Sequence, residues 1–501
     1  MRLKFLKQTI ITGLMIMGGN VYTQFSGNNL FEVQWGNLPD DEPAMLLSNY
    51  NQLNLNYRHG DFKASGRLEY FINRFAERRY LNPSQFRLGY KTRTLEFKAG
   101  TYYDMLGNGL LLRAYDIPGS VFESPGYRIR HGFYRDLFGG SAGYRGENFR
   151  IRTLYGKPLV NVLPPGVDRK ERRSEDLYAL QPGFTIGEQD IDLHYLYTSN
   201  KGGSHHYSSV KAAGNLPYNF SYNIEVAAEL GTGMPLFTES GSTHAVYASL
   251  MYSGWSTGGS LEWKDYRNFI LGSGFNDPPT LVKEHTYKVL NRSIHVPLIS
   301  NERGFQAEFY YRFESGHTLT LNVSRARNES VRKTVWQEYF AEVLIPFGGS
   351  STLKWFTDYA MDPFRYEPHR VAGGGIAEVA LAGKWSMMTE LEYQFIRRTG
   401  FLPGSVHNAV IIVGLSKGPA FSIALTYEGS TDPFLTDDPG TFEIEKGSRH
   451  WLGLDMKLKI RSQHTLALFA GQRRGGPACT SGICYEVLDF TGLELRLISK
   501  F

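Results

Sequence analysis

Thr491-Gly-Leu-Glu-Leu-Arg-Leu-Ile-Ser-Lys-Phe501 ends the chain, and its pattern sets the reading of everything before it. In an extended segment side chains alternate between two faces. Leu493, Leu495, Leu497 and Phe501 share one face, and Gly492, Glu494, Arg496 and Lys500 share the other. An apolar face beside a charged face is how a transmembrane strand divides lipid from a polar lumen. The same beat recurs upstream. Leu53, Leu55 and Tyr57 alternate with Asn54, Asn56 and Arg58, and Phe149, Ile151, Thr153 and Tyr155 with Arg150 and Arg152. Ile191, Leu193, Tyr195 and Tyr197 alternate with Asp192 and His194, and Phe305, Ala307, Phe309, Tyr311 and Phe313 with Gln306, Glu308 and Arg312. The beat starts near Asn51, which leaves no room for a separate plug domain ahead of the strands.

Tight connections fall at His59-Gly60-Asp61, Thr92-Arg93, Gly146-Glu147, Gly187-Glu188-Gln189, Leu216-Pro217-Tyr218 and Gly254-Trp255. They continue at Ser315-Gly316, Gly348-Gly349, Gly383-Lys384, Lys417-Gly418-Pro419 and Ser462-Gln463. Two strands per tight turn, plus one at each end, predict a single large antiparallel transmembrane barrel of about 24 strands, an even number between about 20 and 26. The connections between tight turns are read as longer and Gly/Pro-rich. Short periplasmic turns and long outer loops are the expected asymmetry. One irregular stretch, Leu281 to Arg303, interrupts it.

A C-terminal Phe closing such a strand looks like the insertion signal of Gram-negative outer-membrane barrels, so Phe501 is assigned that role, with barrel-assembly machinery as the partner during insertion. The other end agrees. Arg2, Lys4 and Lys7 precede the short apolar run Ile10 to Met17, and Val21-Tyr22-Thr23 reads as a cleavage site. Residues 1–23 are therefore taken as a signal peptide and 24–501 as the barrel. Aromatics make 14% of the chain, with 31 Tyr and 32 Phe, while hydrophobic residues are only 42%. Alternating strands need only one greasy face, so this balance fits a membrane barrel. The formal charge of +5 falls to about +2 without the signal. That balance excludes a strong electrostatic case for nucleic acid. Cys479 and Cys484 are the 2 cysteines, and in an exported chain their close spacing reads as a disulfide clip of a small loop.

Three stretches carry a resemblance. They are Gly100-Thr101-Tyr102-Tyr103 followed by Leu106 to Tyr115, the segment Arg473-Arg474-Gly475-Gly476-Pro477 through Cys479, Cys484 and Tyr485, and a Gln start after the signal. Together they resemble a family of outer-membrane β-barrel proteins of uncharacterised function from Bacteroidota. The resemblance implies the fold and the compartment and supplies no catalytic residue.

Motifs for chemistry are sparse. Gly107-Asn108-Gly109 lacks the Lys-Ser/Thr of a phosphate-binding loop and reads as a turn at the barrel mouth. Alternatively Leu110-Leu111-Leu112 folds inward as a pore constriction with Arg113 and Tyr115, since the long connection Tyr102 to Arg135 exceeds what a hairpin needs. His205 and His206, adjacent in a strand, point to opposite faces and do not form a metal site. No Gly-x-Ser-x-Gly elbow is present, so no enzyme, no cofactor and no metal is expected. Arg169-Lys170-Glu171-Arg172-Arg173 is read as a solvated loop tip, with lipopolysaccharide phosphates as the functional alternative. Asp432, Asp437, Asp438, Glu443 and Glu445 match no calcium loop. Arg67, Glu69, Arg87, Lys91, Glu96, Lys98, Arg150, Arg152, Asp192, Glu308, Arg312, Glu494, Arg496 and Lys500 fall on the lumen face. Mixed charge there lines a water-filled path for polar solutes or forms ion pairs that stiffen a silent barrel. The expected function is thus a porin-like channel. The alternative is a structural or assembly subunit of an outer-membrane complex, contacting lipid, lipopolysaccharide, surface lipoproteins or other barrels.

Overall fold

The computed structural model describes residues 23–37, 45–124, 127–160, 164–165, 167, 173–231, 243–295, 301–330, 333–400, 402–436, 447–480 and 483–501. Almost all of the expected signal segment 1–23, Arg169 to Arg172, Asp437, Asp438, Glu443 and Glu445 lie outside them.

One antiparallel sheet of 24 strands closes on itself. Strand β1 (Thr23–Asn37) pairs along its length with β2 (Leu46–His59) and, on its other edge, with the last strand, Phe490–Lys500. Phe501 completes that seam: its N–H donates to the Gly27 carbonyl at 3.0 Å, and its carbonyl accepts from Gly27 N at 2.8 Å. Closure at this seam removes the two free edges that an open sheet would present to hydrocarbon. The strands begin earlier than the alternation from Asn51 indicates. In β1 the run Ser26-Gly27-Asn28-Asn29 hides the apolar beat, which emerges only at Phe31, Val33 and Trp35.

Every tight connection read from the sequence joins two neighbouring strands. Gly60 (φ 55°) sits in the left-handed region that a non-glycine residue adopts at a cost. The opposite end of the barrel is less uniform than expected. Its connection between Asn200 and Gly203 is two residues long rather than an extended loop, and Pro363 to Tyr366 is also short.

Polarity runs opposite to that of a water-soluble protein. Glu32, Glu69, Lys264, Glu302, Asp358, Arg370 and Gln394 are buried inside, while Leu47, Ile186, Leu261, Trp355 and Leu391 stand exposed outside. Unpaired polar groups cannot face hydrocarbon, and apolar ones gain by doing so. The wall is therefore built to sit in a membrane.

The lumen is not empty. The chain between β5 (Leu95–Tyr102) and β6 (Leu137–Arg145) turns inward and forms a hairpin of Tyr115–Ser124 with Ile129–Arg135. The irregular stretch is the second inward segment, running from Asn268 to His295 with a short helix at Lys288–Asn291.

Candidate functional site: the lumen and its inward loops

The lumen charges read from the sequence stand on the inner face of their strands, and five of the fourteen, Arg67, Glu69, Lys98, Arg152 and Glu308, are held by an inward loop. Arg67 donates to Asp116 at 2.8 Å and to Asn54 at 2.7 Å. Glu69 accepts from Gly132 N at 3.3 Å and from Ser84 at 3.0 Å. Arg87 donates to the Thr101 carbonyl at 2.9 Å. Lys98 lies 3.6 Å from Asp104, which also pairs with Arg152. Glu308 pairs with Lys283 of the second inward segment. Other charges bridge strands: Lys91 with Glu96 at 3.6 Å, Arg150 with Asp192 at 2.9 Å, and Arg496 with Glu32 through an Nε bond of 2.7 Å. Glu494 accepts from Gln34 at 2.6 Å and from Arg473 at 3.2 Å. Arg312 and Lys500 share the inner face near the tight-turn end. A charge pinning a loop to the wall is a third use, distinct from lining water or stiffening adjacent strands.

Leu110, Leu111 and Leu112 are fully buried inside the barrel. They form one apolar cluster with Leu106, Phe269, Leu271 and Phe275 of the loops and with Leu154, Leu177 and Leu196 of the wall. The turn Gly107-Asn108-Gly109 therefore lies within the lumen rather than at its mouth. Asn108 N donates to Glu225 at 2.5 Å, and its amide exchanges bonds with Asn223. Gly107 is required there, because a Cβ would meet the Glu225 carboxylate at 2.2 Å. Arg113 lies 3.3 Å from Asp277, and its N–H donates to the Phe275 carbonyl at 3.0 Å. Tyr115 lies tilted beside Phe133, with centroids 5.9 Å apart, and receives Arg135 over its ring at 5.5 Å. Burial holds the Asp277 carboxyl above the usual carboxylate range, against the pull of Arg113 and Arg135.

The second segment docks on the opposite wall through residues the sequence did not single out. His285 bonds Glu338 at 3.2 Å, and Tyr287 donates to Glu342 at 2.7 Å. Glu392 accepts from the backbone of Lys288 and Val289 at 3.0 and 2.8 Å. Arg292 reaches Glu428 at 3.3 Å, and His295 reaches Glu302 at 3.0 Å. Tyr287 stacks on Phe356 with centroids 3.7 Å apart, inside a second apolar cluster with Val289, Leu290, Phe340 and Val410. A third cluster sets Ile129 and Val121 of the hairpin against Leu30, Tyr50, Phe71 and Tyr80. Loops therefore touch the wall on three sides.

Two of the cavities between loops and wall lie toward the tight-turn end. One, of about 450 Å³, is bordered by Arg58, Lys63, Arg87, Lys91 and Lys98, with Tyr57, Phe97 and Tyr103 beside them. The other, of about 430 Å³, is bordered by Asn28, Gln52, Asn54, Arg67 and Lys500, with Leu30, Pro118 and Ile498 beside them. Both mix polar and apolar lining, and the charged groups of the first are mostly basic.

His206 faces outward and bonds Tyr195 at 2.7 Å, while His205 pairs with Glu229 at 2.7 Å, so the two do not converge. Arg173 is not a solvated loop residue: it pairs with Asp136 and donates to the Lys157 carbonyl at 2.8 Å. Asp432 is engaged by Arg398 at 2.8 Å. Cys479 and Cys484 stand directly opposite in a two-stranded hairpin, Gly476–Thr480 with Ile483–Val487. Among the described residues no cluster of His, Cys, Asp and Glu suits a metal ion.

Among solved structures, the chain is similar to the P pilus usher (PapC) translocation pore, at 10% identity and a TM-score of 0.42, over 95% of this chain and 99% of that one. It is similar to the E. coli P pilus tip assembly intermediate PapC-PapD-PapK-PapG, at 10% identity and a TM-score of 0.49, over 97% of this chain and 62% of that one. It is also similar to Pseudomonas aeruginosa OpdQ, at 11% identity and a TM-score of 0.36, over 96% and 98%. No curated protein matches the chain. Residues 8–158 match a family of unknown function, DUF6029.

Proposed function

We propose that this chain is a Gram-negative outer-membrane barrel passing polar solutes, without chemistry, along a lumen that its own loops narrow. The observation carrying this reading is the pair of cavities left between loops and wall, each bordered by charged and amide side chains. They offer charged and amide groups to a solute where a purely structural fill would close the space. Residues 1–23 act as the export signal, the tight turns face the periplasm, and Phe501 supports insertion by the assembly machinery. Leu110, Leu111 and Leu112, with Arg113 and Tyr115, form part of the constriction. Lipopolysaccharide surrounds the outer end.

A second reading, a structural subunit of an outer-membrane assembly, is favoured by the apolar packing of loops against the wall on three sides. Conductance of the purified protein in a planar bilayer separates the two. Steady or voltage-gated steps support the channel. A silent barrel that co-purifies with partner proteins after mild detergent extraction refutes it and supports the scaffold.

A further inference from the structure

The chain leaves the wall at Tyr102 to enter the lumen, and this departure leaves a notch. Strand β4 (Tyr80–Lys91) pairs with β3 (Phe62–Ile72) over nearly its whole length. On its other side it pairs with β5 only from Arg87 to Lys91. Among the described residues, no strand pairs with Tyr80 to Phe86 on that side.

The fork is finished with care. Gly100 adopts φ 92°, and a Cβ there would meet the Phe86 carbonyl at 2.2 Å. Next to it, the Thr101 hydroxyl accepts from Phe86 N at 2.8 Å and donates to Phe86 O at 2.9 Å. One side chain thus satisfies both backbone groups that the departing strand abandons. Higher on the same edge sits Pro83, which has no N–H to leave unpaired and is tolerated only where a strand lacks a neighbour.

The mouth faces lipid. Phe86 and Phe138 flank it, with Leu81 and Leu88 further along the outward face of β4, and all four are exposed on the apolar exterior. Behind it lies a cavity of about 280 Å³ reached by Asn82, Ser84, Thr101, Leu159 and Tyr134, the last belonging to the inward hairpin. Arg173 stands at its border, over the Phe138 ring at 5.8 Å.

We propose that this notch is a side port through which the acyl chain of a membrane lipid enters the cavity behind the wall. Thr101 satisfies the backbone of Phe86 and Pro83 brings no N–H, which lowers the cost of setting this edge against hydrocarbon. The flanking Phe rings and Leu159 suit an alkyl chain, and Arg173, Asn82 and Ser84 give the polar part of the lining for the headgroup end. The port does not depend on whether the lumen conducts.

The test uses the full-length protein in phosphatidylcholine vesicles, with a photo-crosslinker at single positions and mass analysis of lipid adducts. Tyr134→p-benzoylphenylalanine and Leu159→p-benzoylphenylalanine probe the cavity from two elements, so one misfolded variant leaves the other decisive. The same substitution at Leu261, exposed on the outer wall away from the notch, reports the bulk lipid, and at Tyr247, buried on the inner face of its strand, it reports the lumen. Adducts at 134 or 159 in a yield comparable to 261, with none at 247, are expected. Adding Asn82→Trp, which fills the mouth, is expected to abolish the cavity adducts and leave those at 261. Adducts at 261 alone, or cavity adducts insensitive to Asn82→Trp, overturn the port.

Discussion

Arg370 offers the sharpest probe of how the second inward segment is held. Its side chain is 1% exposed, and it joins three partners: the Ser293 carbonyl at 2.6 Å, Glu338 at 3.1 Å and Asp358 at 3.8 Å. Arg370→Met keeps the length and removes the charge, leaving two carboxylates enclosed beside His285, with His295 further off. Breaking a buried ion pair by removing one partner costs about 3–5 kcal/mol, mostly through the charge left behind. Undocking the segment that carries Ser293 would admit water to those carboxylates, so the cost falls chiefly on the docked state. At about 1.4 kcal/mol per tenfold, a loss of about 3 kcal/mol raises the undocked population about a hundredfold. Hydrogen exchange at Lys288 to Ser293, measured in nanodiscs, reads this directly, and channel openings in a bilayer should become more frequent. Adding Glu338→Gln and Asp358→Asn removes the stranded charges and is expected to restore most of the protection. Unchanged exchange in Arg370→Met, or no recovery in the triple variant, would refute the assignment of Arg370 as the tie.

Four other outcomes are expected. Asp277 is held above the ordinary carboxylate range, so the folded protein binds its proton more readily than the unfolded chain does. Docking of the first loop cluster should therefore be firmest below about pH 4 and weaken as pH rises through the raised value; exchange at Leu110 to Arg113 checks this, and Asp277→Asn should flatten the trend. Directly opposed residues of an antiparallel pair have Cα atoms about 4.5–5.5 Å apart, within disulfide range, so non-reducing peptide mapping should find Cys479 joined to Cys484, and two free thiols would remove the clip. Deleting Phe501 removes two closing hydrogen bonds as well as the insertion signal, so membrane-inserted protein should fall, as read by heat-modifiable gel mobility. A thiol placed by Val167→Cys in a Cys479→Ser, Cys484→Ser background should be labelled by an impermeant reagent on intact cells; labelling only after permeabilisation would invert the topology.

Strand count and tight turns were legible because each is written locally. A residue such as Gly60 with φ 55° marks its own turn, and alternation marks its own strand. Strand β1 escaped because its beat is carried by Gly, Ser and Asn. The filling of the lumen escaped for a different reason: its contacts join residues far apart, as Asn108 with Glu225 or Val289 with Glu392 do. Yet a local trace of it exists in the wall. On the strand Phe149–Pro158 the inward positions run Arg150, Arg152, then Leu154, and on Gln189–Asn200 they run Asp192, His194, then Leu196. A strand facing lipid on one side and water on the other keeps its inner beat polar to the end. An inner beat that turns apolar at the loop end means that protein, not water, covers it. Leu177 and Ala179 repeat the signal at the loop end of Asp176–Ile186, where the first loop docks. The residues that close the lumen are thus foreshadowed in the strands before the loops themselves are read.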